Sequence, residues 1–341
     1  MTGSSRPWLV VLTPVRNEAW ILERFLAVTS TFADLILVSD QRSTDGSREL
    51  CARYPRAAVV DNPEETFDEG ARRARMVEEA RARIPLPRIL LAFDADEILA
   101  ADAPSRVGWQ TLLSAAPGTV LDFELVDLYL GTDRAMRHDP MRPFGFVDDG
   151  TPFQGRVIHG ARLPFPAGAP RLRLNDVKLL HYAAAVPARF AAKLRWYSCL
   201  ENVLGTCRPP LKRRLRYLNH LDFTWRGRLE PTRPEWFGGW ESRGIDMHSL
   251  PDERFSWFDV EVLRWFARYG ERRFWLDDIW RFDWEACRQW ALDQGLSGLP
   301  TRPVRPPSSV IVQGMRGLSL VHRTQVRARH RLTGRTSPRF G

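Results

Sequence analysis

Asp94, Asp96 and Glu97 place three carboxylates within four residues, in the run Phe93-Asp94-Ala95-Asp96-Glu97 that closes the apolar stretch Arg88-Ile89-Leu90-Leu91-Ala92. Carboxylates crowded where a buried segment emerges into solvent are costly unless positive charge sits among them. A divalent cation meets that need. Hard cations such as Mg²⁺ or Mn²⁺ take oxygen ligands, and Mg²⁺ commonly joins one or two carboxylates to the phosphates of a substrate. The competing reading is a solvated acidic turn, because D-x-D recurs by chance.

The surrounding elements decide what such a turn faces. Trp8-Leu9-Val10-Val11-Leu12 is a continuous apolar run, as in a strand buried on both faces. Pro14 ends it, and Trp20-Ile21, Phe25 and Val28 then recur at helical spacing behind Asn17 and Glu18, which suit a helix start. Leu35 to Val38 predicts a second strand ending at Ser39-Asp40. Ser43-Thr44-Asp45-Gly46 predicts a turn, followed by a helix from Ser47 to about Tyr54. Ala57 to Val60 reads as a third strand, Phe67 to Ile84 as a basic amphipathic helix, and Ile89 to Phe93 as a fourth strand. This alternation predicts an α/β fold whose central sheet is mostly parallel and covered on both faces. Ligands of such sheets bind beyond the carboxyl ends of the strands, where the loops carry Asn17-Glu18, Asp40 and Asp94-Asp96 on one rim.

Beyond Pro104 the pattern mixes, with strand-like segments at Val120 to Leu125 and Val177 to Tyr182. Helices dominate from about Pro187, with candidates at Trp257 to Tyr269, stopped by Gly270, and at Asp278 to Leu292. Ten of the 13 tryptophans fall between 186 and 300, which points to Trp-mediated packing of helices on the sheet. Trp236 and Trp240, in Trp236-Phe237-Gly238-Gly239-Trp240, offer the alternative of stacking on a sugar ring. The expected organisation is an α/β domain over 1–185, a Trp-rich helical region over 186–300, and a basic tail over 301–341.

Composition excludes several classes. The 341 residues suffice for one large domain or two ordinary ones. Hydrophobic content of 44% and charged content of 27% are those of a globular protein. No apolar run approaches the roughly 18 residues that span a bilayer, and residues 1–7 lack the features of a signal peptide. Cys51, Cys199, Cys207 and Cys287 have no metal-site or disulfide spacing, so the expected compartment is a reducing cytoplasm. The net charge of +9 lies wholly in residues 301–341, which hold nine arginines and no acidic residue. The rest of the chain is neutral, which argues against a nucleic-acid partner for the folded body. The tail reads either as a peripheral contact with anionic lipid at the inner face of the membrane or as a solvated, partly disordered terminus.

Thr13-Pro14-Val15-Arg16-Asn17-Glu18, then Val38-Ser39-Asp40 with Ser43-Thr44-Asp45-Gly46-Ser47, then Phe93-Asp94-Ala95-Asp96-Glu97 resemble, in this order and spacing, the family 2 glycosyltransferases of GT-A (nucleotide-diphospho-sugar transferase) fold. The nearest subgroup is the one with a D-A-D-E metal motif, which includes enzymes of lipopolysaccharide-core and surface-polysaccharide assembly. The likeness covers roughly residues 8–185. It implies a nucleotide-diphosphate sugar donor bordered by Pro14, Asn17, Glu18, Asp40 and Asp45, with Arg72 or Arg75 reaching the diphosphate. It also implies a Mn²⁺ or Mg²⁺ ion held by Asp94 and Asp96, with Asp94 also contacting the donor. His181, placed like a late histidine of the family, would complete the metal shell; the alternative is a structural histidine. The acceptor would be a hydroxyl of a glycan or lipid-linked molecule, with 1–185 the nucleotide-sugar-binding catalytic domain and 186–300 the region that supports or binds that acceptor.

The chemistry suits these residue types. Departure of a nucleoside diphosphate builds negative charge that a cation neutralises, and the acceptor hydroxyl needs a base to take its proton. An inverting transfer needs only one such base, opposite the leaving group. Asp149 is the first candidate and Asp148 the second, in Phe146-Val147-Asp148-Asp149-Gly150; the alternative is an Asp-Asp-Gly turn. The segment Arg156-Val157-Ile158-His159-Gly160 departs from a family pattern that often ends His-Glu, with Gly160 in place of the Glu. That departure keeps a catalytically impaired binding protein as an alternative. A sugar-phosphate nucleotidyltransferase would want a Gly-rich basic loop after the first strand, and residues 13–18 do not form one.

Overall fold

Parallel strands need crossovers that return the chain, and the first hundred residues supply them at short intervals. The computed structural model describes residues 6–64, 66–137, 141–205, 209–217 and 229–333. In chain order, β1 (Trp8–Val15), α1 (Ala19–Thr29), β2 (Leu35–Asp40), α2 (Ser47–Cys51), β3 (Ala57–Asp61), α3 (Glu69–Arg83) and β4 (Arg88–Ala92) form the parallel core. They are followed by β5 (Glu97–Leu99), α4 (Val107–Leu113), β6 (Val120–Leu128), β7 (Arg134–Arg137), β8 (Arg142–Val147) and β9 (Arg171–His181). The sheet runs β10-β7-β6-β8-β4-β1-β2-β3, where β10 is Glu230–Pro231, and β9 pairs with both β5 and β6.

Strand direction fixes what each end of the sheet carries. β1, β2, β3 and β4 are mutually parallel. β8 runs antiparallel to β4, β6 antiparallel to β8, and β9 parallel to β6. β6 and β9 therefore finish on the same rim as the four core strands, whereas β8 finishes at the opposite end. The period-two pattern of β1 divides its side chains between two cores. Leu9 and Val11 pack with Phe25 and Leu26 of α1, while Val10 and Leu12 pack with Met76, Val77 and Ala80 of α3. The sheet is thus covered on both faces, as the apolar runs demand.

The chain divides into two compact units, Met1–Val186 with Arg228–Pro251, and Pro187–Gly227 with Asp252–Gly341. The region expected as one block over 186–300 is therefore interrupted. Its segment around α7 (Gly238–Glu241) belongs with the sheet, because Trp236 and Trp240 are 3% and 1% exposed in the main core. Trp240 donates its Nε1–H to the Leu99 carbonyl, and Gly239 lets the backbone approach Ala101, whose Cβ would lie 3.1 Å from an added side chain. Neither tryptophan is available to stack on a sugar; both are core.

The second unit contains α5 (Pro187–Val203), α6 (Pro210–Tyr217), α8 (Trp257–Tyr269), α9 (Trp284–Asp293) and α10 (Ser309–Thr333). Its tryptophans pack on one another, as where Trp196 stacks on Trp265 at 6.0 Å. Asp277 is buried there, accepting from Ser198, Asn202 and Arg213. The helix expected from Asp278 starts only at Trp284, because the Asp283 side chain caps it by accepting from the Ala286 N–H. Residues 309–333 of the tail are helical rather than an irregular terminus; 334–341 and Cys207 lie outside the described residues. No helix among the described residues is long and apolar enough to cross a membrane.

Candidate functional site

The D-A-D-E turn is built by its own last residue. Glu97 is buried and accepts from the Asp94 N–H at 2.8 Å, while the Glu97 N–H donates back to the Asp94 carbonyl at 2.9 Å. Burial pushes the Glu97 carboxyl upward in pKa, and Arg162 opposes that shift. Arg162 bonds Glu97 and also donates to the Ala92 carbonyl at 3.1 Å and to Asp94 Oδ2 at 3.0 Å. Burial disfavours its charge, but Asp94 and Glu97 outweigh that and raise its pKa. Asp94 Oδ1 accepts from Arg73 of α3 at 3.1 Å. Both oxygens of Asp94 are thus engaged by guanidinium groups.

Asp96 faces a different set. Its carbonyl accepts from the Tyr182 N–H at 2.8 Å, which locks the turn to the end of β9. Its Oδ2 lies 3.6 Å from Nε2 of His181, beyond hydrogen-bond range, while Nδ1 of His181 sits 2.6 Å from Asp127 Oδ1. Asp127 and His181 are direct partners in the β6–β9 register, so the sheet itself sets this contact. Burial works against charging the ring, but Asp96 and Asp127 outweigh it and push its pKa up to about 10.

Both ring nitrogens of His181 thus have a carboxylate oxygen near them, Asp127 on Nδ1 and Asp96 towards Nε2. Metal-binding histidines usually give their other ring N–H to a carboxylate, the relation Asp127 has to His181, and a carboxylate oxygen converges on the remaining nitrogen. A cation at that nitrogen would require His181 to give up its Nε2 proton. Among the described residues no group of three or more His, Cys, Asp or Glu could hold a metal ion. The expected trio of Asp94, Asp96 and His181 is therefore corrected: Asp94 is held by Arg73 and Arg162, which leaves Asp96 with His181. Two protein ligands are the usual complement of an ion shared with substrate phosphates.

The loops after β1 and β2 are laced together on the same rim. Asn17 adopts φ of 55°, donates its N–H to Ser43 Oγ at 2.9 Å, and accepts from the Thr44 N–H at 2.7 Å. The Glu18 N–H donates to Ser47 Oγ, and a Glu18 carboxylate oxygen accepts from Trp20 Nε1 at 2.6 Å. Asp45 is exposed but bonds back to the chain, where Oδ2 accepts from the Ala19 N–H and Oδ1 from the Ser47 N–H and hydroxyl. It ties the second loop to the start of α1. Asp40 is buried at the end of β2 with Pro14 opposite Ser39 in the neighbouring strand, and Arg72 donates to Gln41 Oε1 at 3.3 Å.

Three expectations fail on strand direction or helix phase. β8 carries the chain away from the rim, so Asp148 donates its N–H to the carbonyl of Arg88, at the amino end of β4. Its side chain is fully buried between Arg88 at 2.6 Å and Arg81 at 2.8 Å. Asp149 forms the Asp-Asp-Gly turn, accepting from the Thr151 N–H at 2.9 Å. At about 3.3 Å per residue, the path from Arg88 to Asp94 is roughly 20 Å. Neither Asp148 nor Asp149 can be a base for chemistry at Asp94–Asp96. Arg75 likewise points to solvent beside Glu64, and Arg73 takes the inward position.

The long loop between β8 and β9 crosses the start of α3. Gly155 and Gly70 meet backbone to backbone, the Glu69 N–H donates to the Val157 carbonyl, and Glu69 Oε2 accepts from the His159 N–H. A Cβ on residue 160 would sit 2.8 Å from the Arg156 nitrogen, so this turn excludes a side chain where Gly160 stands. Asp127, Arg73 and Arg162 are the rim residues that sequence reasoning missed. One more group belongs with them. Leu130 and Gly131, beyond β6, bond backbone to Ala184 and Ala185 beyond His181. On this loop Thr132 Oγ1 lies 2.7 Å from His248 Nδ1, and His248 Nε2 lies 3.1 Å from Glu241.

No protein-family model matches the chain, and no curated protein matches it. Among solved structures it is similar to 4-diphosphocytidyl-2C-methyl-D-erythritol synthase, at 17% identity over 42% of this chain and 76% of that one, with a TM-score of 0.30. It is also similar to glucosyl-3-phosphoglycerate synthase from Mycobacterium tuberculosis in complex with Mn²⁺, UDP and glucosyl-3-phosphoglycerate (22% identity, TM-score 0.25). That match spans 37% of this chain and 44% of the synthase, less than half its length. HddC from Yersinia pseudotuberculosis is similar over 51% of this chain and 93% of its own, at 9% identity and a TM-score of 0.30. At such values the chemistry must be read from the chain's own side chains.

Proposed function

We propose that the protein is a glycosyltransferase of GT-A type, using a nucleotide-diphosphate sugar and Mn²⁺ or Mg²⁺ to glycosylate a hydroxyl of a glycan or lipid-linked acceptor with inversion. The observation that supports it most is the line Asp127–His181–Asp96 on the rim where parallel strands end, beside Arg73 and Arg162. A divalent cation held by Asp96 and His181 would supply Lewis-acid neutralisation of charge on the departing diphosphate. Asp127 orients the His181 ring for that task. Arg73 and Arg162 bring fixed positive charge to the same point, and each already positions Asp94 for a donor hydroxyl. Asn17, Glu18 and Asp40 line the rim where the nucleoside would lie. Asp45 holds the two loops in register.

With Asp148 and Asp149 excluded, we assign the acceptor-side base to His248. Glu241 fixes its tautomer by accepting from Nε2–H, and the Thr132 hydroxyl occupies Nδ1 as an acceptor hydroxyl must. A nucleotidyltransferase is less well supported, because the loop at residues 14–18 offers one arginine and no glycine to cradle a triphosphate.

The test is a panel of UDP-, GDP-, ADP- and dTDP-sugars with Mn²⁺, scored by slow donor hydrolysis and by a rise in melting temperature. One donor should give both. Asp96→Ala should abolish both, and His248→Gln should keep the melting-temperature rise while slowing transfer about 10²–10⁴-fold. Hydrolysis undiminished in Asp96→Ala overturns the assignment.

A further inference from the structure

Helix α10 packs one side inward and turns an apolar side to solvent. Its inward side carries Met315, Ser319 and His322, with Ser319 Oγ accepting from Arg214 Nε of α6 at 2.9 Å. Its outward side carries Val310, Leu318, Leu320 and Val321, which are 78%, 54%, 56% and 57% exposed. Val310, Gly314, Gly317, Leu318 and Val321 follow i, i+4, i+7, i+8, i+11 spacing and so share one stripe. Leu320 widens that stripe, and Arg316 on its flank is the one charged residue between Ser309 and Val321. A solvated helix normally turns polar residues outward, so this face needs a partner.

The charge around the face identifies the partner's chemistry. After Asp293 the sequence to Gly341 contains nine arginines and no acidic residue. An apolar stripe on a segment whose only charged residues are arginines matches a bilayer interface rich in anionic lipid, where apolar side chains enter the acyl boundary and arginines meet phosphate headgroups. A nucleic acid would gain nothing from the leucines and valines. We propose that α10 lies flat on an anionic membrane surface, with Val310, Leu318, Leu320 and Val321 inserted. The helix lies on the bilayer rather than crossing it, consistent with its arginines and with the hydropathy of the described helices. This surface is independent of the transfer chemistry proposed for the rim.

Co-sedimentation of the full chain with vesicles tests it. Binding is expected to phosphatidylcholine vesicles containing about one-third phosphatidylglycerol and not to phosphatidylcholine alone, and it should weaken in high salt. Leu318→Ser with Val321→Ser removes apolar contact at unchanged charge on an exposed face, so folding by circular dichroism should hold. Vesicle affinity should fall about tenfold or more. Wild-type vesicle affinity in that double variant overturns the proposal, because charge alone would then explain binding. A wild-type dimer that the same variant converts to monomer, with no vesicle binding, overturns it in favour of a second copy as the occupant. Tighter binding to duplex DNA than to vesicles also overturns it.

Discussion

Asp148→Asn separates a structural carboxylate from a catalytic one. The side chain has no exposure, accepts from Arg88 Nε at 2.6 Å and from Arg81 at 2.8 Å and 3.2 Å, and also accepts from the Gly150 N–H at 3.2 Å. The amide keeps one acceptor and loses the charge, leaving two guanidinium groups against a neutral partner. Removing one member of a buried pair costs about 3–5 kcal/mol. The lower end applies here, because Arg81 retains the Thr151 carbonyl and Glu78, and Arg88 retains the Ile84 carbonyl. For a folding unit of this size, about 3 kcal/mol corresponds to a fall in melting temperature of roughly 6–12 °C.

The pH dependence follows from the same contacts. Burial raises the Asp148 pKa, but hydrogen bonds from Arg81 and Arg88 outweigh it and hold the carboxyl below the usual range. A depressed carboxylate pKa gives stability that is full above the unfolded value, about 3.9, and is lost as pH falls through the folded value. The gap between wild type and Asp148→Asn should therefore be widest at neutral pH and close only in acid. Thermal melts from pH 3 to 7, with transfer assayed on folded protein at low temperature, read both effects. Turnover should be unchanged within about twofold, since losing a general base would cost 10²–10⁴. A hundredfold loss of turnover with an unmoved melting temperature would refute the assignment of Asp148 to structure, and with it the strand direction that places it.

Arg73→Met should weaken donor binding in calorimetry by about tenfold, the worth of one charged hydrogen bond, whereas Arg75→Met should leave it unchanged. Equal losses from both would mean that the phase of α3 is misread. Asp127→Asn removes one of the two carboxylates that hold the His181 pKa up at about 10, so the ring's titration, followed by NMR of its Cε1–H, should move down. A ring that titrates as in the wild type would show that Asp127 does not govern it.

How far the rim could be read from sequence depended on how far apart its parts lie along the chain. Asn17, Glu18, Asp40 and Asp94 follow short strands in the first hundred residues, where the period of apolar positions and the short loops leave one arrangement. Arg73 was missed although a signal for it exists: Arg73, Met76, Val77 and Ala80 share i, i+3, i+4, i+7 spacing, and the three apolar members had to face the sheet. Asp127 was not legible, since its meeting with His181 depends on a register shift between Phe123 and Glu124 that carries β9 past three extra residues. Arg162 arrives on an irregular loop with no periodic signal. Asp148 was misplaced because local pattern gives a strand's faces and not its direction, and β8 runs opposite to its neighbours.

The division of labour within the D-A-D-E motif follows from the charges that reach it. Asp94, Asp96, Glu97 and Asp127 face Arg73, Arg162 and His181. The two arginines stay charged, and both approach Asp94, with Arg162 spanning Asp94 and Glu97. That half of the cluster is balanced within the chain. The other half holds Asp96 and Asp127 around one imidazole. Counting these three groups alone, they carry one net negative charge with the ring protonated and two with it neutral, and on the proposed reading one divalent cation would cancel those two. On that reading a proton and a metal ion compete for Nε2. Asp96 is the carboxylate on which that competition acts, because it is the one that faces Nε2.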